Sequence, residues 1–136
     1  MTHPILDLQT ALVSTLNADS DLAAQIGTPV VFDMPPKGRH RPYLVIQRHD
    51  VIVRDVTQAS VREHVLRLLL WMPEPSRSAM LPALERITAL MTKSNLSSAT
   101  RTVTTVRHVR TDTDMDMKGG GARAALSFRI FSEPAI

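Results

Sequence analysis

The stretch Val61–Met91, VREHVLRLLLWMPEPSRSAMLPALERITALM, decides the fold. Side chains alternate along a strand, so Leu66, Leu68 and Leu70 point one way while Val65, Leu69 and Trp71 point the other. A strand that is apolar on both faces belongs in the interior of a sheet. The break MPEPS ends it, because proline lacks the ladder donor and restricts the residue before it. Met80, Leu84, Ile87 and Met91 then recur at helical spacing and form one apolar stripe. The pair predicts a central strand with a helix laid over its sheet. Arg62 and Arg67 are the polar members of that strand, expected at its exposed start or at a contact with another subunit.

Upstream, Ile5–Leu16 reads as a helix with Ile5, Leu8, Leu12 and Leu16 in one stripe and Pro4 in the first turn. Asn17–Ser20 supplies capping chemistry for a short helix over Asp21–Ile26, which Gly27 closes. Thr28–Asp33 reads as a short strand. Met34–Pro42 is a loop, made basic by Lys37, Arg39, His40 and Arg41. Tyr43–His49 is a strand with Leu44 and Ile46 on one face and Tyr43 and Val45 on the other. Asp50–Ser60 is a turn or loose extension.

Downstream, Lys93–Ser98 is a polar loop and Arg101–Arg110 is a strand, rich in valine and threonine but uneven in its alternation. Asp112–Gly121, DTDMDMKGGG, reads as a flexible tip. The last strand, Ala122–Phe131, turns Leu126, Phe128 and Ile130 inward and Arg123, Ser127 and Arg129 outward. The expected fold is α+β: a mainly antiparallel sheet of about five strands packed by two or three helices. The element order is α-α-β-β-β-α-β-β, ending in a long hairpin.

The chain has 136 residues, near the commonest size for one domain, so residues 1–136 are expected to form one. A chain of this length buries roughly 65–70% of its unfolded surface, enough for a core without staples. It has no cysteine, so disulfides, thiol catalysis and thiolate zinc sites are excluded. Neither a secretory leader nor an apolar run of about 18 residues is seen, which predicts a protein that is cytoplasmic when made. Net charge is +3, and arginine outnumbers lysine thirteen to three. Arginine suits protein interfaces and phosphates alike, and here it is spread along the whole chain.

Motifs for chemistry are weak. Asp112, Asp114 and Asp116 before Gly119–Gly121 have the alternating carboxylates of a calcium loop, but the glycine comes late, Lys118 intrudes and no closing glutamate follows. The tip is read as a solvated hairpin end. The histidines His3, His40, His49, His64 and His108 show no paired metal spacing, although His64 and His108 could meet across the sheet. They are read as ordinary, partly buried histidines. There is no GxSxG elbow and no phosphate loop. Outward arginines at 48, 62, 67, 107, 110, 123 and 129 could touch phosphate, but aromatic residues for base stacking are few.

Several phrases in fixed order carry a resemblance: LQTALVSTLNADSDLAAQIG, then VVFD, RPYLVIQ, EHVLRLLLWMPEPSR and a closing FRIFSEP. Together they span nearly the whole chain. In these it resembles the tail terminator (tail completion) proteins of long-tailed phages and of phage-derived gene transfer agents. The resemblance implies a non-enzymatic virion protein with no catalytic, metal or cofactor residues. It implies a homo-hexameric ring that ends the tail tube and joins it to the head-side connector, with DNA only as cargo and no membrane. Such a protein would be made in the host cytoplasm and assembled at the head–tail junction. Long hairpins and arginine-rich loops supply subunit contacts. The candidate contact residues are Lys37, Arg39, Arg41, Arg62, Arg67, Arg107, Asp112, Asp114, Asp116 and Lys118. A small basic nucleic-acid-binding protein is the main alternative, and a metal enzyme using the three aspartates is a third.

Overall fold

The computed structural model describes residues 3–116 and 118–135; Met1, Thr2, Met117 and Ile136 lie outside it. The fold is α+β. The elements are α1 (Pro4–Asn17), α2 (Ser20–Ile26), β1 (Val31–Phe32), β2 (Tyr43–Val53), β3 (Arg62–Met72), α3 (Arg77–Lys93), β4 (Arg101–Asp116) and β5 (Gly121–Pro134). The strands form one sheet in the order β1-β2-β3-β5-β4. β1 runs parallel to β2, and every other pairing is antiparallel.

The predicted central strand is central. β3 pairs with β2 on one side and β5 on the other, and alternate residues from Leu66 to Met72 enter the core. Met80, Leu84, Ile87 and Met91 of α3 and Leu8, Leu12 and Leu16 of α1 pack against them in one hydrophobic cluster. The second apolar set on β3 is different: Val65, Leu69 and Trp71 are only half-buried, because no described helix covers that side.

Local chemistry sets the helix ends. The side chains of His3, Asp19 and Ser76 each accept a backbone N–H at the start of α1, α2 and α3. Asp19 also takes a two-pronged bond from Arg86 of α3, at 3.0 and 2.6 Å. That guanidinium holds the Asp19 carboxyl below its usual range. Asn17 Oδ1 accepts from Val30 and Val31 at 2.8 and 3.3 Å, tying the end of α1 to β1.

Strand boundaries differ from the sequence reading, most of all in β1, β2 and β4. Regular pairing in β1 is confined to Val31–Phe32, so the expected Thr28–Asp33 strand is shorter. β2 runs on to Val53, into the segment expected to be loose, because it stays paired with β3 through Val53↔Arg62. β4 continues past Arg110 to Asp116, so Asp112, Asp114 and Asp116 are strand residues and not a flexible tip. Thr111 and Thr113 keep the ladder going opposite Leu126 and Ala124. Met117, inside the expected tip, is not described.

Bulges explain the uneven alternation. Register shifts between Val103 and Thr105, and between His108 and Arg110, each insert one extra residue into β4. Val103 and Val106 can therefore both pack on the core, although strict alternation would separate them. A shift between Ile46 and Arg48 does the same in β2, turning His49 to the core side and Arg48 away.

Candidate interaction surface

The sheet face without helices is built by cross-strand rows that the register defines. One row is Tyr43, Trp71, Arg123 and Asp114; the next is Val45, Leu69, Ala125 and Asp112. Below them come Arg48, Arg67, Ser127 and Arg110, then Asp50, Val65, Arg129 and Arg107. The upper rows are apolar in the middle, and the lower rows set arginine directly against arginine. Like charges facing each other across a ladder are unfavourable.

Acids on the same face offset part of this. Arg110 pairs with Asp112 at 2.6 Å, Arg123 with Asp114 at 3.4 Å, Arg129 with Glu63 at 3.4 Å, and Arg48 with Asp50. Two arginines are left over. Arg107 is exposed and joins no ion pair among the described residues. Arg67 is half-buried, and its Nε has no hydrogen-bond partner among the described residues. It lines a hollow of about 290 Å³ with Gln47, Leu69, Asp112, Asp114 and Arg123.

The upper end of this face is locked by cation–π stacking. Arg41 lies 4.6 Å from the centroid of Trp71 and Arg123 lies 5.8 Å from it. Arg41 also pairs with Asp116, holding that carboxyl below its usual range. The basic loop is thereby fastened to the β4–β5 hairpin. Arg39 clamps the loop from the other side, donating to the Pro29 carbonyl at 2.6 Å and the Ile26 carbonyl at 2.9 Å while stacking on Phe32.

The candidate contact residues thus fall into three groups. Arg67, Arg107, Asp112 and Asp114 share the helix-free face. Arg39, Arg41 and Asp116 hold loop and hairpin in place, with Lys37 and Lys118 exposed beside them. Arg62 does not join the other outward arginines. It sits opposite Ser132 at the far end of β3, on the helix side, bound to Asp55 at 2.6 Å. The three aspartates each meet a different arginine, and among the described residues no three His, Cys, Asp or Glu side chains group as metal ligands.

His64 does not meet His108, which lies against Phe128 and Thr111. Instead a polar chain, part-buried at Gln9 and His49 and fully buried at His64 and Ser132, crosses the sheet on the helix side. Gln9 Nε2 is 3.3 Å from His49 Nδ1, His49 Nε2 is 2.8 Å from His64 Nδ1, and His64 Nε2 is 2.7 Å from Ser132 Oγ. Arg101 Nε donates to the same hydroxyl at 3.1 Å. Two neutral imidazoles satisfy this chain, each donating once and accepting once. Burial lowers both histidines to about 4, and Arg101 adds to the effect on His64. No sequence spacing signals this chain, because the bulge in β2 is what turns His49 inward.

Residues 10–133 match the family model described as Tail completion protein gp17. A chain in a solved structure described as the virion of a native gene transfer agent (GTA) particle has a similar fold. It is 20% identical, the alignment covers 97% of this chain and 99% of that one, and the TM-score is 0.83. No curated protein matches the sequence.

Proposed function

Because this chain belongs to the tail completion protein gp17 family, and is thus a structural tail protein of phage-type virions, we propose that it acts as a single domain whose copies close into a hexameric ring. The ring ends the tail tube at the head–tail junction and presents a surface to the head-side connector. DNA passes through as cargo, and the protein catalyses nothing. It is made in the host cytoplasm and incorporated into the particle there.

The observation that carries this reading is the helix-free sheet face. It combines half-buried Trp71, Leu69 and Val65 with Arg67 and Arg107, which join no ion pair among the described residues. Interfaces are enriched in aromatic residues and arginine, so such a face suits protein contacts. The free edge of β4 lies beside it. Its two bulges interrupt a ladder that could otherwise recruit strands without limit, in keeping with closed rather than open-ended assembly.

Light scattering on the purified protein, alone and with its tube protein, tests the reading. A mass of six subunits, or ring formation on the tube end, is the expected result. A strict monomer that ignores the tube yet binds duplex DNA with a steep salt slope would overturn it in favour of nucleic-acid binding.

A further inference from the structure

A second cleft lies away from the helix-free face, at the end of the sheet where β3 begins and β5 finishes. Its volume is about 780 Å³, and its walls include His3, Val51, Val53, Ser60, Arg62 and Arg101. Arg101 opens β4 and is only 7% exposed. Its Nε is used by Ser132, and its Nη2 is buried with no hydrogen-bond partner among the described residues. None of the described carboxylates pairs with it. Asp7 and Glu133 act on it from a distance, and Asp7 Oδ2 already accepts the Thr100 hydroxyl at 2.8 Å.

A second guanidinium, that of Arg62, reaches the cleft and is already paired with Asp55. Arg62 stands opposite Ser132, two residues short of Pro134, the partner of Arg101, so two guanidiniums border the same cleft. Arg62 bonds Asp55 and the Val61 carbonyl through Nη1. A buried guanidinium without a counter-ion costs several kcal/mol, of the order measured when one member of a buried ion pair is deleted. Proteins meet that cost by pairing the charge.

We propose that this cleft receives a carboxylate carried on an apolar segment of a partner protein, with Arg101 and Arg62 as its cationic receptors. Guanidinium forks suit carboxylate and phosphate equally. The walls discriminate between them. Ile5, Val51 and Val53 would cover apolar neighbours of a glutamate or aspartate, whereas a phosphate would lose hydration against them without return. A nucleic-acid backbone needs an open track of cations, and the outward arginines of the strands lie on the opposite face of the sheet. The inference does not depend on ring formation: a monomer could show it, and a ring could lack it.

Titrating the full-length, ¹⁵N-labelled protein while following the Arg101 Nε–H resonance tests this. The probes are the blocked peptides acetyl-Leu-Glu-Leu-amide and acetyl-Leu-Gln-Leu-amide, and inorganic phosphate. The glutamate peptide should shift the resonance saturably, and its glutamine counterpart should bind about tenfold more weakly, the discrimination expected of a charged hydrogen bond. Arg62→Gln, on the cleft rim, should keep the native spectrum and weaken the glutamate peptide by about fivefold. Arg101→Met should remove the response; if that variant does not fold, Arg62→Gln decides. Equal binding of both peptides, no saturable shift, or an unchanged affinity in folded Arg62→Gln would overturn the proposal. Saturation by phosphate without response to the glutamate peptide would reassign the cleft as a phosphate site.

Discussion

His64 shows how a single side chain can tie stability to pH. Its folded value of about 4 lies below the ordinary 6.5, as does that of His49. Between those values the unfolded chain binds more protons, so stability is full above about pH 6.5 and is lost as pH falls towards 4. The Asp19 and Asp116 carboxyls are shifted down from 3.8, so their contribution is lost only at lower pH. Thermal melts should therefore be flat from pH 7 to 8 and drop between pH 6.5 and 4. His64→Gln, neutral and able to hydrogen-bond, should flatten that drop; an equal drop in the variant would refute the assignment. Leu68 makes a simpler case. It is fully buried on the central strand, and Leu68→Ala should cost about 2–5 kcal/mol by denaturant unfolding, the range for cavities in packed cores.

The hairpin of β4 and β5 depends on backbone approach as much as on side chains. A Cβ on Gly121 would sit 2.1 Å from the Met72 carbonyl oxygen of β3, and neither backbone can yield without breaking the ladder. Gly120 has φ +74° with open space around it, so its requirement is conformational only. Gly121→Ala should accordingly lose about 1–3 kcal/mol or more, as overpacked sites do, while Gly120→Ala loses about 1 kcal/mol. Equal shifts in the urea midpoint would show that the β3–β5 contact tolerates a methyl group. The bulges carry a similar lesson for β2 and β4, where one extra residue changes which side chains face the core.

At the scale of the molecule the described residues are asymmetric, with three helices on one side of the sheet and, on the other, an arginine-bearing face that none of them covers. Arg107 on that face pairs with nothing described and lies opposite Arg129. Arg107→Glu replaces a like-charge pair with an opposite one, so it should keep or slightly raise the melting temperature of the subunit, and it should alter association, read as a changed ring mass or loss of tube binding in light scattering. A lowered melting temperature with normal association would place Arg107 in fold stability instead.

The element order, the central place of β3 and the buried stripe of α3 were legible in the residues, because hydrophobic periods of two and near 3.6 are imposed by local backbone geometry. The FRIFSEP strand and the α1 stripe followed from the same rule. The bulges in β2 and β4 were not legible, since an extra residue is accommodated by the register of the neighbouring strand and not by local preference. His49 facing His64, and Arg101 buried with no counter-ion among the described residues, depend on that register. The roles of Arg39 and Arg41 as clamps depend on where the loop meets Phe32, Trp71 and Asp116 in space. Periodicity marked β3 as apolar on both faces, and only the packing of all the helices on one side left Val65, Leu69 and Trp71 available to something else.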